Sequence, residues 1–126
     1  MSTGSHGLIF EYELKSGAKS PNANLFALTE NPIDLQQCRA LVFDYFGAGM
    51  DFFVVTSKNG EMALSKPFDL EAVQEWRTVK IPLKKIVASK SSKGNMELGN
   101  VVGFVLGARG YPGDKGKVFV DNIRCK

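Results

Sequence analysis

Apolar and polar residues alternate with a period of two along most of this chain. Between Gly7 and Leu14, Leu8, Phe10, Tyr12 and Leu14 share one face, while Glu11 and Glu13 take the other. That spacing predicts a half-buried strand. The same reading predicts strands over 24–30 (NLFALTE), 39–46 (RALVFDYF), 50–57 (MDFFVVTS), 61–68 (EMALSKPF), 77–83 (RTVKIPL), 98–108 (LGNVVGFVLGA) and 117–125 (KVFVDNIRC). Only PFDLEAVQEW, 67–76, predicts helix, a turn or two and too short to carry a fold. Loop chemistry separates the strands. KSGAKSPNAN reads as a loop, NPIDLQQC as a connector and KNG (58–60) as a turn. GAG (47–49) predicts a tight hairpin between its flanking strands, because glycine reaches positive φ without strain. Short strands punctuated in this way predict an all-β fold, an antiparallel β-sandwich with two sheets packed face to face. There is no internal repeat and no linker. Residues 8–126 read as a single β-sandwich binding module behind a flexible or artificially appended start, 1–7.

The last strand breaks the pattern. Val118, Val120 and Asn122 fall on one face, Phe119, Asp121 and Ile123 on the other. Strict alternation places Asp121 beside two large apolar side chains, facing inward or toward the sandwich edge. A carboxylate there must be paired, hydrogen-bonded to backbone or bound to a metal. The residues leave two roles open for Asp121, a structural clasp and a cation ligand.

Composition removes several function classes. A chain of 126 residues is large enough to bury a core. The net charge is only +3, and Lys84, Lys85, Lys90 and Lys93 cluster loosely around a loop. A nucleic-acid surface needs a denser basic patch with aromatics among the bases, so no nucleic acid is expected. No apolar run approaches the ~20 residues of a membrane helix, so no membrane is expected either. The start lacks the charged-then-apolar pattern of a signal peptide. Cys38 and Cys125 form no CxxC, and the lone histidine is His6, which excludes a zinc site. The two cysteines are either separate thiols or, in an oxidising compartment, a disulfide from the last strand to the chain before the third.

Catalytic chemistry is equally thin, and no enzyme is expected. Neither cysteine has a histidine partner in the folded region, and no Ser-His-Asp set exists. Asp44 and Asp51 are a carboxylate pair in principle suited to glycoside hydrolysis. They would sit on an open sheet face, with no pocket to raise one pKa. GARGYPGDKGK, 107–117, is glycine-rich but fails the phosphate-loop spacing, and Lys117 precedes Val118 rather than Ser or Thr. It reads as a long hairpin loop from which Arg109 and Tyr111 can reach a ligand at the sheet rim.

Four stretches, in order, carry a resemblance: PIDLQQCRALVFDYFG (32–47), EWRTVKIPLKKI (75–86), LGNVVGFVLGA (98–108) and the closing Val-x-Val-Asp-Asn-Ile. Over residues 8–125 the chain resembles jelly-roll carbohydrate-binding modules with the galactose-binding-like fold. The related complex I intermediate-associated family shares the same pattern. The resemblance implies a non-catalytic module that holds a polysaccharide or glycan on its concave sheet face. Rings would stack on pyranose faces while polar groups bind hydroxyls. With Phe43 in the core, it places Asp44 and Phe46 on the ligand surface, joined across the GAG turn by Asp51 and Phe53. Lys80, Arg109 and Tyr111 complete the rim, and Trp76 packs under the sandwich as a structural residue. These modules open with a strand that helps the last-strand Asp hold a structural calcium. Here the chain reads as starting one strand later, so a calcium at Asp121 would need Glu11 or Glu13 as a further ligand; no other cofactor is implied. A missing strand would leave a sheet edge for a protein partner or a homodimer. The alternative function is a protein-interaction or assembly scaffold of the complex I intermediate-associated type. A carbohydrate-binding role would place the protein outside the cell or in the periplasm.

Overall fold

The computed structural model describes residues 8–13, 24–90, 96–108 and 115–126. The alternation resolves into β1 (Leu8–Glu13), β2 (Asn24–Ile33), β3 (Ala40–Gly47), β4 (Met50–Lys58), β5 (Glu61–Leu64), β6 (Phe68–Leu70), β7 (Val73–Pro82), β8 (Val101–Ala108) and β9 (Lys115–Cys125). A single 3-10 turn at Leu83–Lys85 is the sole helical element among the described residues. The strands form a four-stranded sheet, β1-β9-β3-β7, and a five-stranded sheet in which β2-β8-β4-β5 run in order and β6 also pairs with β4. All these pairings are antiparallel.

The core lies between the sheets. Leu41, Phe43 and Tyr45 of β3 enter it from one side, and Met50, Phe52 and Val54 of β4 from the other. Phe43 stacks on Phe52 across the interface with centroids 4.5 Å apart, and Phe52 meets Phe104 of β8 at 5.5 Å. Burying rings of this size contributes about 2–3 kcal/mol each, so this stack ties the two sheets together.

Two connections differ from the sequence reading, for one reason: both cross between sheets. GAG is not a hairpin within a sheet. It carries the chain from β3 in the four-stranded sheet to β4 in the five-stranded one. Gly47 has φ +121°, and a Cβ there would run into the backbone carbonyl of Lys117. The predicted helix at 67–76 is likewise absent. Leu70 and Val73 carry helical spacing, but each is buried from a separate strand, β6 in one sheet and β7 in the other. By contrast, KNG forms the expected turn, with φ 53° at Asn59 and 82° at Gly60.

Strand β9 accounts for its own Asp-Asn. Val42 pairs with Arg124, yet Asp44 pairs with Asp121, so β9 holds one extra residue opposite β3. Asn122 takes φ 56°, a conformation that asparagine tolerates better than most side chains. The Asp121 carboxylate accepts the Asn122 amide at 2.7 Å, and the Arg124 guanidinium donates to the Asn122 carbonyl at 2.8 Å. This bulge resets the phase of the strand. Val118 and Val120 face the core before it, and Ile123 and Cys125 pack on the core after it. Asp121 therefore shares the outer face with Phe119, and not a common face with Ile123.

Strand β1 pairs along β9, Leu8 opposite Val120 and Glu11 opposite Lys117. The strand expected at 7–14 is thus the edge strand of its sheet, beside the closing strand. At the far end of β9, Cys125 and Cys38 form a disulfide, with Cα atoms 5.6 Å apart. No helix among the described residues is long and apolar enough to cross a membrane.

Candidate functional site

The crossing at 47–49 divides the surface expected from the sequence. Asp44, Phe46 and Lys80 face outward from the four-stranded sheet, whereas Asp51 and Phe53 face outward from the five-stranded one. Arg109 and Tyr111 lie outside the described residues. Asp44 and Asp51 stand on opposite sides of the sandwich, so they cannot flank one glycosidic bond.

The outer face of the five-stranded sheet is built around β8. Gly103 and Gly107 sit four residues apart on its outward side. A Cβ on Gly103 would meet Phe26 Cε1 at 3.2 Å, and one on Gly107 would meet Phe53 Cε2 at 3.6 Å and Asn24 Oδ1 at 3.2 Å. Glycine in a strand interior commonly marks a close approach. Here it lets two flanking rings settle over the central strand. Phe26 remains 46% exposed. The Phe26 and Asn24 positions come from β2 and the Phe53 and Asp51 positions from β4, so the rings and polar groups bracket β8 from both sides. Asp51 lies cross-strand from Asp69 of β6. The face therefore offers two ring surfaces with an amide and carboxylates beside them.

The outer face of the four-stranded sheet has a different plan. Its aromatic row crosses three strands: Trp76 on β7, Phe46 on β3 and Phe119 on β9. The Trp76–Phe46 centroids are 6.0 Å apart, and Phe46–Phe119 5.8 Å. Trp76 is 56% exposed, so it is not packed beneath the sandwich as the family resemblance implied. It shares parity with Thr78 and Lys80 on β7, and these exposed polar neighbours are the signal that places it outside. Lys117 lies over the Phe119 ring at 5.2 Å and pairs with Glu11 at 3.1 Å. A polar row runs alongside. Thr78 donates to Asp44 at 2.7 Å, and Arg124 stands 3.6 Å from the same carboxylate.

Around Asp121 the described residues do not fit a cation site. Its pairing partner Asp44 is already engaged by the Thr78 hydroxyl and the Arg124 guanidinium, whose positive charge opposes a second cation. Glu11 is opposite Lys117 rather than Asp121. No group of three or more His, Cys, Asp or Glu that could hold a metal occurs among the described residues.

Among the described residues, one titratable group is shifted inside the fold. Burial pushes the Tyr45 phenol above its usual range; nearby Glu71 and Asp69 add to the rise, and Arg77 opposes it. Tyr45 donates its hydroxyl to the Glu71 carbonyl at 2.9 Å. That bond ties β3 to the crossing between β6 and β7.

Phe26, Gly103 and Gly107 escaped the sequence reading. Strand β2 carries apolar residues on both faces, so alternation alone could not assign Phe26. The two glycines carried a usable signal, since glycines four apart inside a strand pattern lie on one face.

No protein-family model matches the chain, and no curated protein matches it. Solved structures do. The chain has the jelly-roll β-sandwich found in family 11 and family 30 carbohydrate-binding modules. The family 11 module of the cellulosomal cellulase Lic26A-Cel5E of Clostridium thermocellum aligns with TM-score 0.60 and 14% identity, over 98% of this chain and 86% of the other. The Clostridium thermocellum family 11 module in complex with a beta-1,3-1,4-mixed-linked tetrasaccharide aligns with TM-score 0.61 and 15% identity, over 95% and 85%. A family 30 module aligns with TM-score 0.58 and 18% identity, over 94% and 76%. At these identities the likeness establishes the fold.

Proposed function

We propose that the protein is a non-catalytic carbohydrate-binding module, and that the outer face of the five-stranded sheet holds the glycan. The observation that carries the reading is the pair of rings, Phe26 and Phe53, brought down over Gly103 and Gly107 beside Asn24 and Asp51. A pyranose is amphipathic. Its axial C–H groups favour an aromatic surface, and its equatorial hydroxyls favour carboxylates and amides. The same fold in a family 11 module is known in complex with a mixed-linked tetrasaccharide, which supports a saccharide as the first ligand to try. Separation of Asp44 from Asp51 by the thickness of the sandwich supports binding without hydrolysis. The Cys38–Cys125 disulfide supports an oxidising compartment, as an extracellular or periplasmic module requires.

Asp121 is assigned as a clasp. It satisfies the amide of the left-handed Asn122 and so holds the bulge of β9. Calcium is not needed for that role.

The test is affinity electrophoresis against soluble β-glucan, xylan, mannan and galactan, with the tetrasaccharide measured by calorimetry. Phe53→Ala should weaken binding roughly tenfold or more, the order expected when one stacking contact of ~1.5 kcal/mol is lost. Its melting temperature should move only a few degrees. A native protein retarded by none of the polysaccharides defeats the proposal. A second reading, a protein-binding face, draws on Leu28 and Met62, exposed at 68% and 61% on the strands that flank this sheet. Retention of a partner protein with no glycan binding would favour it.

A further inference from the structure

The four-stranded sheet carries a surface that the reading above does not use. Its two rows have complementary chemistry. Trp76, Phe46 and Phe119 form an aromatic strip across β7, β3 and β9. One step along the strands, Thr78, Asp44 and Asp121 lie opposite one another in the sheet. Lys80 and Arg124 flank Val42 in the next pair of positions. Neighbouring strands are about 4.8 Å apart and same-face residues on a strand about 7 Å apart. The aromatic strip and the polar strip are therefore parallel and separated by roughly the width of one sugar ring.

The charge of the polar strip narrows the class of ligand. Asp44 and Asp121 stand with Lys80 and Arg124, so the acids and bases balance. The carboxylate of Asp44 is held from two sides, by the Thr78 hydroxyl at 2.7 Å and the Arg124 guanidinium at 3.6 Å. A balanced, pre-positioned strip gives no net attraction to an anion or a cation. It does present donors and acceptors together, which suits a neutral, hydroxyl-rich molecule. The adjoining strip is apolar and flat, and its end ring, Trp76, is more than half exposed. Tryptophan is the largest aromatic platform a protein can offer, and little covers this one.

We propose that the outer face of the four-stranded sheet is a second saccharide-binding surface, with Trp76 and Phe46 as its stacking platform and Thr78, Asp44, Lys80 and Arg124 as its hydroxyl-binding strip. Its ligand is a neutral pyranose oligosaccharide, or a segment of a neutral polysaccharide. It extends the carbohydrate-binding reading, and its test separates the two surfaces. The protein would then engage glycan from both sides of the sandwich.

The sole tryptophan makes the two faces distinguishable. Trp76 emission should change on titration with the mixed-linked tetrasaccharide, or with soluble β-glucan, xylan, mannan or galactan. The change should saturate, and it should persist in Phe53→Ala, whose lesion is on the opposite face. Trp76→Ala should lose one class of sites by calorimetry and keep the other. A glycan that binds by calorimetry or electrophoresis while leaving Trp76 emission unchanged overturns the second surface and leaves the first intact. Loss of all binding in Phe53→Ala, with Trp76→Ala unaffected, overturns it as well. If Trp76→Ala binds glycan like the parent protein but converts a dimer to a monomer in light scattering, the aromatic strip is a contact between copies and the proposal fails. No response to any of the saccharides overturns both surfaces together.

Discussion

Reduction of the Cys38–Cys125 bond should cost the protein a large part of its stability. The bond joins residues 87 apart in sequence, and thus closes a loop that contains β3 through most of β9. In the chain-entropy account, cross-linking removes conformations from the unfolded chain, by an amount that grows with the logarithm of the loop. A loop of this length gives a ceiling of about 4.5 kcal/mol. Native bonds in small domains typically contribute about 2–5 kcal/mol, so the working expectation is a loss within that range. The assay is urea unfolding followed by far-ultraviolet circular dichroism, with and without reductant, beside the Cys38→Ala/Cys125→Ala double variant. With a slope of about 1.5 kcal/mol/M, the midpoint should fall by ~1.5–3 M urea. Thiol titration of the unfolded, unreduced protein should find no free cysteine. Two titratable thiols would refute the bond itself. An unchanged midpoint after complete reduction would refute the entropy reasoning.

Four further outcomes are expected. The Tyr45 phenol is held neutral by burial, so the folded state keeps its proton to higher pH than the unfolded chain does. Its contribution to stability is whole below about pH 10 and declines as pH rises from there through the folded pKa. Tyr45→Phe should lose about 1 kcal/mol at pH 8, for the bond to Glu71, but show a shallower alkaline fall in urea midpoint between pH 9.5 and 11; parallel falls would sink the argument. Gly103→Ala places a methyl 2.7 Å from the Ala27 carbonyl, so β2 must shift from β8, and a melting scan should show a loss of about 1–3 kcal/mol. At the bulge, Asn122→Gly should be nearly neutral and Asn122→Val should cost about 1–2 kcal/mol, since a β-branched residue resists φ 56°. EDTA should leave the melting temperature of the native protein unchanged if Asp121 is a clasp; a drop of several degrees would restore the metal.

Much of the fold could be read from period-two alternation, because each sheet has one buried face and that face fixes the parity of every strand. Phe43 lies in the core as expected, but in the last strand the parity is reversed: Val118 and Val120 are buried, and Phe119 faces out against Phe46. Parity says nothing about which sheet a strand joins. The GAG stretch has the chemistry of a hairpin, and only the close approach of Gly47 to Lys117 in the folded chain shows that it turns across the core instead. That single ambiguity merged Asp44 and Phe46 with Asp51 and Phe53 into one surface, when the fold sets them back to back. Asp121 failed differently. One extra residue in β9 breaks parity at Asn122, and the compensation depends on pairing with β3, which no local pattern contains. Leu70 and Val73 misled for a third reason: a spacing of three mimics a helix face when the end of one strand and the start of the next each bury an apolar residue.

The carboxyl end of the domain is anchored in a way that governs how it would bear mechanical load. The Lys126 carbonyl accepts from the amides of Arg39 and Ala40 at 2.7 and 3.2 Å, and its own amide returns to Ala40 at 3.0 Å. Tension arriving at Lys126 strains these bonds first, then passes through the sulphur atoms of Cys125 to Cys38. Everything from Cys38 to Cys125 is a covalent ring that force along the chain cannot unravel. The chain before Cys38 lies outside the ring and can be drawn out, at ~3.5 Å of contour per residue. Pulling would peel β1 from β9 and β2 from β8, taking Phe26 with it. Phe53, Gly103 and Gly107, and the whole row from Trp76 to Phe119, remain inside the ring, so a stretched domain keeps most of both outward faces.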